Sequence, residues 1–135
     1  MSETMLTGRC LCGAVRYRAG ALLYPPTLCH CQSCRRASGA NAVAWLTVRV
    51  ETFEYTAATP SSYASSPGVR REFCTSCGTP LTYRSALRAD EVDVGVATLD
   101  APDAVVPVDH IWMEDALPWD RPADGLPQHP RARMP

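Results

Sequence analysis

Apolar and polar residues alternate with a period of two in several short stretches: "AVRYRA" over 14–19, "AVAWLTVRV" over 42–50, "VRREF" over 69–73, "LTYRS" over 81–85 and "EVDVGVATL" over 91–99. Successive side chains of a strand point to opposite faces, so this pattern predicts strands with one face buried. No segment carries a long helical period. A turn or two of helix is expected after Cys34, through "RRASGA", with Gly39 placed to end it. The stretch "TPSSYASSPG" over 59–68 reads as a loop, because proline and small polar residues interrupt regular structure. From Pro118 onward five prolines fall in eighteen residues, which blocks helix and central strand alike. The expected organisation is an all-β domain with little helix over 1–117, followed by a proline-rich tail over 118–135 that wraps the surface or is disordered.

The chain has 135 residues, 46% of them hydrophobic, enough for one modest core and too few for two. The opening "MSETMLTGRC" lacks the basic-then-apolar order of a secretory signal, and no run of about 18 apolar residues offers a membrane span. A soluble, cytoplasmic protein without a membrane partner is expected. Thirteen arginines, no lysine and fourteen acids give a formal charge of -1 with no basic stripe to follow phosphates. Nucleic acid is therefore not an expected partner. No feature sets an oligomeric state.

Seven cysteines change the picture. They are too many and too clustered for ordinary packing, and an odd number fits a disulfide framework poorly, as does a reducing compartment. The groups are Cys10 and Cys12; Cys29, Cys31 and Cys34; Cys74 and Cys77. Residues i and i+2 of a strand share a face, and Cys-x-x-Cys around a tight turn converges in the same way. Pairing Cys10 and Cys12 with Cys74 and Cys77 gives the closed four-thiolate shell of a structural zinc. The three left over match a catalytic zinc with one open position. Spacing alone also allows other partitions, such as Cys34 joining the Cys74 pair. Two zinc ions would return four of the seven charges that seven thiolates add, which lets the thiolates sit close together. The echo between "CLCGAVRY" and "CTSCGTPLTY" suggests either two similar hairpin units or two zinc turns that each need a glycine after the last cysteine. His30, between two cysteines of an extended segment, should turn its ring away from their sulfurs, and His110 should serve structural hydrogen bonding. A redox dithiol reading of Cys31-x-x-Cys34 or Cys74-x-x-Cys77 lacks the βαβ setting that motif requires.

The ordered blocks "GRCLCGAVRY", "CHCQSCRRASGA", "RREFCTSCGTPL", "VATLDAP" and "DHIWMEDALPW" resemble the glutathione-dependent formaldehyde-activating enzyme family, also called the centromere protein V family, from about Gly8 to Trp119. The resemblance implies a small all-β β-tent fold built on zinc knuckles, with Cys10, Cys12, Cys74 and Cys77 as structural zinc ligands. It places Cys29, Cys31 and Cys34 at the catalytic zinc, and so decides the partition that spacing leaves open. The activity it implies is that of a carbon-sulfur lyase condensing glutathione with formaldehyde to S-(hydroxymethyl)glutathione.

A thiol in the open position would be held as thiolate beside the carbonyl, and the cation would stabilise the oxyanion formed. Glutathione carries two carboxylates, for which Arg35 and Arg36 are the candidate contacts through bidentate bonding. Trp45 and Trp112 are candidate pocket walls. Two other readings stand beside this one: a related enzyme using another thiol or small electrophile, and a non-catalytic zinc-binding module that meets a macromolecule.

Overall fold

In the computed structural model, which describes residues 5–133, the alternating stretches pair into two sheets. In chain order the elements are β1 (Leu6–Arg9), β2 (Arg16–Ala19), β3 (Thr27–Cys29), α1 (Gln32–Ser38), β4 (Val43–Arg49), β5 (Glu54–Ala57), β6 (Ser61–Ser66), β7 (Val69–Phe73), β8 (Pro80–Ser85), β9 (Glu91–Gly95) and β10 (His110–Ile111). The smaller sheet runs β1-β2-β5 and the larger one β10-β3-β4-β9-β8-β7-β6. Every pairing is antiparallel except β10 with β3. The fold is all-β with one short α-helix, as the alternation predicts.

The period of two sorts the larger sheet into two faces. One face carries Leu46, Val48, Val92 and Val94, all buried, which pack with Leu81, at the irregularity in the pairing of β8 with β7, and with Val15, Tyr17, Ala19 and Phe53 of the smaller sheet and its flanks to form the core. On the other face a row of residues runs straight across the strands. Thr47 stands opposite Asp93, Asp93 opposite Tyr83, Tyr83 opposite Arg71 and Arg71 opposite Tyr63. That second face is the floor on which the functional site is built.

Where β1 approaches the segment after β9, Gly8 bridges to Leu99, and a methyl group at Gly8 would overlap the Tyr17 hydroxyl and the Thr98 carbonyl. The close contact lets the Tyr17 hydroxyl share a 2.7 Å hydrogen bond with Thr98 Oγ1. Glycine is required there by space rather than by backbone conformation.

Three expectations need correction. The stretch 59–68, expected to be a loop, contains β6, followed by a turn at Pro67 and Gly68, the latter at φ 75°. Among the described residues β6 is an edge strand bonded only to β7, so it needs little apolar character, and its serine-rich composition disguises it. The stretch 91–99 does not stay extended: β9 stops at Gly95 and a 3-10 turn follows over Val96–Thr98. The helix begins at Gln32, ahead of its expected start, and ends at Gly39 in the left-handed region at φ 73°. In the proline-rich tail, residues 127–131 fold back along β10, with the His110 amide donating to the Pro127 carbonyl and the Trp112 amide to the Arg131 carbonyl.

Candidate functional site

The four cysteines at 10, 12, 74 and 77 come together from two turns of the same design. In the first, the Cys10 amide donates to the Val15 carbonyl at 3.0 Å and the Gly13 amide to the Cys10 carbonyl at 3.2 Å. In the second, the Cys74 amide donates to the Thr79 carbonyl at 3.0 Å and the Gly78 amide to the Cys74 carbonyl at 2.9 Å. Gly13 and Gly78 take φ of 81° and 80°, a conformation that costs an L side chain about 1 kcal/mol or more, which accounts for the repeated glycine. Backbone amides aim at sulfur in both turns, Val15 at Cys10 Sγ (3.3 Å) and Cys77 at Cys74 Sγ (3.4 Å). The Leu11 amide donates to Thr79 Oγ1 at 3.0 Å and ties one turn to the other.

All four sulfurs lie within 4.8 Å of one another, with Cys10 to Cys12 at 3.6 Å and Cys12 to Cys74 at 3.7 Å. A tetrahedron with metal-sulfur bonds of about 2.3 Å has sulfur-sulfur edges of about 3.8 Å, so the set could hold a metal ion and suits zinc. The Thr79 hydroxyl beside its sulfur, with nearby backbone amides, pulls the Cys77 thiol down to about 5, toward the thiolate a metal requires.

The second cluster is built at one corner of the larger sheet. Cys29 ends β3 opposite Val43, Cys31 caps the N-terminus of α1, and Cys34 lies buried in the helix's first turn. The cap bond runs from the Cys34 amide to Cys31 Sγ at 3.4 Å. The three sulfurs again lie within 4.8 Å of one another, and no fourth His, Cys, Asp or Glu joins them among the described residues. Contacts with Cys29 and then Cys34 pull the Cys31 thiol far down, while the contact with Cys31 pushes Cys29 far up. Such a set settles with one charge unless a cation admits more, and thiolates at this spacing could hold a metal ion with one position open.

His30 points away from this cluster. Its ring is buried and its Nε2 shares a 2.9 Å bond with His110 Nδ1, while His110 Nε2 meets Asp124 Oδ2 at 2.8 Å. His30 turns aside as its place between two cysteines predicts, and His110 has the structural hydrogen bonding expected of it.

Two cavities meet at the three-cysteine cluster, sharing Ser33, Cys34, Trp45 and Arg71 as a common wall. The polar one, of about 670 Å³, is lined by all three cysteines together with Thr47, Arg88, Asp93, Trp112 and Asp115. The other, of about 640 Å³, is lined chiefly by Val43, Tyr63, Phe73 and Pro80 and by the outer side of α1, including Arg36. Trp45 thus borders both cavities and Trp112 the polar one. Arg36 borders the apolar cavity, whereas Arg35, half-buried, borders neither. Trp112 takes φ 58°, a left-handed conformation unusual for a bulky residue, and is held there by its bond to the Arg131 carbonyl.

Arg71 is the site residue that sequence reasoning misses. Its Nη2 donates toward Cys34 Sγ at 3.7 Å and its guanidinium lies over the Tyr83 ring, 4.9 Å from the centroid. Its Nε is buried without a partner, and no carboxylate pairs with it among the described residues. Arg88, across the row, is by contrast bound to Asp93 at 2.7 Å and Glu91 at 2.8 Å. The alternation in "VRREF" shows that residue 71 shares a face with 69 and 73, but only the pairing with β8 shows that this face meets the cysteines.

An all-β protein whose two sheets are joined by a four-cysteine turn pair, with a three-cysteine corner open to a cavity, is the class these observations define. Residues 5–115 match the family model of the glutathione-dependent formaldehyde-activating enzyme, and the chain belongs to that family. Membership supports a glutathione-dependent formaldehyde-activating type of function in general. A search of curated proteins finds no match. Three solved chains match; among them a Rhodobacter sphaeroides protein, solved as a structural genomics target, is 23% identical, aligns with a TM-score of 0.60, and is covered over 98% of its length against 91% of this chain. That likeness concerns the fold. No helix among the described residues is long and apolar enough to cross a membrane.

Proposed function

We propose that this chain is a zinc-dependent carbon-sulfur lyase that joins a small thiol, glutathione or a relative, to an aldehyde carbon and reverses that joining. The observation that carries the reading is a three-ligand cluster at a cavity: Cys29, Cys31 and Cys34 converge on the wall of a space of about 670 Å³, large enough for a tripeptide. Cys10, Cys12, Cys74 and Cys77 would hold one zinc and the open three a second. Bound there, the second zinc supplies a cation that favours the thiolate form of an incoming thiol.

The reaction balances without a redox partner. A carbon-sulfur bond forms, the carbonyl π bond opens, and the thiol proton passes to the carbonyl oxygen. Arg71, with Nη2 beside Cys34 Sγ and Nε unpaired, is placed to donate to that oxygen as its charge builds. Trp45 and Trp112 wall the approach, while of the two arginine candidates Arg36 borders only the apolar cavity and Arg35 borders neither, so neither lines the space that would hold the thiol. We place the protein in the cytoplasm, where a reduced thiol pool keeps seven cysteines available as ligands.

Cobalt-substituted protein tests the reading, because sulfur-to-cobalt absorption reports directly on the coordination of the open site. Glutathione should change that spectrum, and Cys31→Ser should abolish the change. A spectrum indifferent to glutathione would favour the non-catalytic zinc module that meets a macromolecule.

A further inference from the structure

Formaldehyde contributes a single carbon, yet Cys34 of the three-cysteine cluster also lines a second cavity, of about 640 Å³, beyond the one that would hold the thiol. An apolar cavity of about 150 Å³ already accommodates benzene in an engineered protein. The second cavity is thus far larger than a one-carbon electrophile can use.

Its walls are also of a different kind. Val43, Trp45, Tyr63, Phe73 and Pro80 present apolar surface; Arg36 is the one cation besides Arg71 among the described lining residues, and Glu72, the one carboxylate among them, is committed to Thr82, Arg84 and Tyr55. Gly95 stands opposite Trp45 in the sheet and carries no side chain, which leaves the floor open down to the backbone. The cavity on the other side of Cys34 is the more polar of the two, lined by the Arg88–Asp93 ion pair, Asp115 and Thr47, a wall suited to a zwitterionic thiol.

The junction of the two spaces decides what can bridge them. Ser33, Cys34, Trp45 and Arg71 belong to both walls. A thiol adduct lying in the polar cavity with its sulfur at Cys34 therefore has the next carbon beside Arg71. Whatever that carbon bears besides hydrogen and its hydroxyl faces the apolar cavity. Arg71, stacked on Tyr83 and paired with no carboxylate among the described residues, supplies donors for the hydroxyl oxygen at the same point.

We infer that this chain acts on thiol adducts of aldehydes bearing an apolar group of aryl or medium alkyl size, which the second cavity receives, rather than on the adduct of formaldehyde. The inference rests on the thiol-adduct reading above and names the class of its electrophile.

Stable thioethers of glutathione separate the two. Zinc-loaded protein is titrated by calorimetry with S-methylglutathione, S-butylglutathione and S-benzylglutathione. Each methylene buried in an apolar site is worth about fourfold in affinity, so the butyl and benzyl compounds should bind at least about tenfold more tightly than the methyl compound. Ala37→Phe, on the exposed side of α1, and Ser65→Phe, on the edge strand β6, each place a ring in the apolar cavity without touching the thiol cavity. Either folded variant should bind S-methylglutathione as the parent does and reduce the gain from butyl or benzyl to less than about threefold.

Equal affinity of the parent for the methyl and benzyl compounds would overturn the inference and leave the thiol reading intact. A gain that survives the blocking rings would overturn it as well, because the substituent would then lie elsewhere. Absence of binding by all three thioethers, with a cobalt spectrum unmoved by glutathione, would overturn the thiol reading and this inference with it.

Discussion

The two cysteine sites use the same donor chemistry for opposite purposes. In the closed site the ligands are split between a turn joining β1 to β2, in the smaller sheet, and a turn joining β7 to β8, in the larger one. A metal there fastens one sheet to the other across a wide gap in sequence. In the open site all three ligands lie within six residues, at one corner of the larger sheet, where β3 passes into α1. A metal there closes almost no loop and holds little of the core together. Placement in the topology, more than ligand type, decides which site stabilises the fold and which is free to exchange a ligand.

The sharpest way to break this comparison is to remove one ligand from each site. Cys74→Ser takes a buried sulfur from between the sheets and leaves three thiols crowded without a cation. Zinc binding at such sites contributes about 10–16 kcal/mol in peptide systems, as large as a domain's whole stability, so soluble folded protein should be lost. Cys31→Ser should behave differently. Serine is itself a preferred helix N-cap and can accept from the Cys34 amide as the sulfur does, so α1 survives while a thiolate ligand is removed. The variant should be folded, carry about one zinc per chain by metal analysis, melt within a few degrees of the parent and show no response to thiol. Equal loss of folded protein in both variants would erase the distinction between the sites.

Much of this arrangement is legible in the sequence, and the exceptions have physical causes. The local cysteine groups show in their spacing, although spacing leaves their partition between the two sites open, and Cys10 and Cys12 meet in a turn rather than along a strand. The central strands show because each has one buried face, as Leu46 and Val48 do in β4 and Val92 and Val94 in β9. β6 is hidden because an edge strand on the solvent side needs no alternation. β3 and β10 are hidden because three and two residues carry no period. Arg71 is hidden for another reason: local alternation assigns residues to two faces, and only long-range pairing says which face holds the chemistry. The tail's course is equally non-local, since prolines rule out a helix without saying where the backbone bonds go.

That tail supports the open site, which gives the next test. Arg133 grips Asp109 with two parallel bonds, Nε to Oδ2 at 2.6 Å and Nη2 to Oδ1 at 2.9 Å, next to the His110 that starts β10. The Arg133 guanidinium, helped by the Thr27 hydroxyl, holds the Asp109 carboxyl below the usual carboxylate range. A carboxylate lowered on folding stabilises the native state above its unfolded value of about 4, and that contribution is lost as pH falls through the lower folded value. Arg133→Ala should therefore cost about 1–2 kcal/mol at pH 7, allowing for the arginine's partial exposure, and the gap from the parent should close below about pH 4. Thermal melts of both proteins at pH 7, 5 and 3.5 read this directly, since acid loss of metal affects parent and variant alike. A gap that persists unchanged at pH 3.5 would show that Arg133 acts through packing, not through charge.

The smallest expected effect comes from the glycines that shape each site. Gly78 directly follows a ligand of the closed site, and Gly39 ends the helix that carries Cys34 of the open one. Their φ values are 80° and 73°, and a methyl group on either would meet no atom within 4 Å. Alanine at each position should therefore pay only the left-handed conformational cost, about 1 kcal/mol in both cases. Equal intrinsic cost makes any difference between the variants a measure of coupling to metal. At Gly78 the strain falls on the turn that aims Cys74 and Cys77, so Gly78→Ala should speed transfer of the closed-site zinc to a chelator several-fold. At Gly39 it falls at the far end of α1, where the amide bonds to the Arg35 carbonyl at 2.7 Å, a full turn beyond the Cys34 sulfur. Gly39→Ala should lower the melting temperature by about 2–5 °C and leave both zinc transfer rates within about twofold of the parent. If Gly39→Ala instead releases the open-site zinc as readily as Gly78→Ala releases the closed one, then α1 is as much a part of its metal site as the turns are of theirs, and the open corner is less independent of its helix than its compact ligand spacing implies.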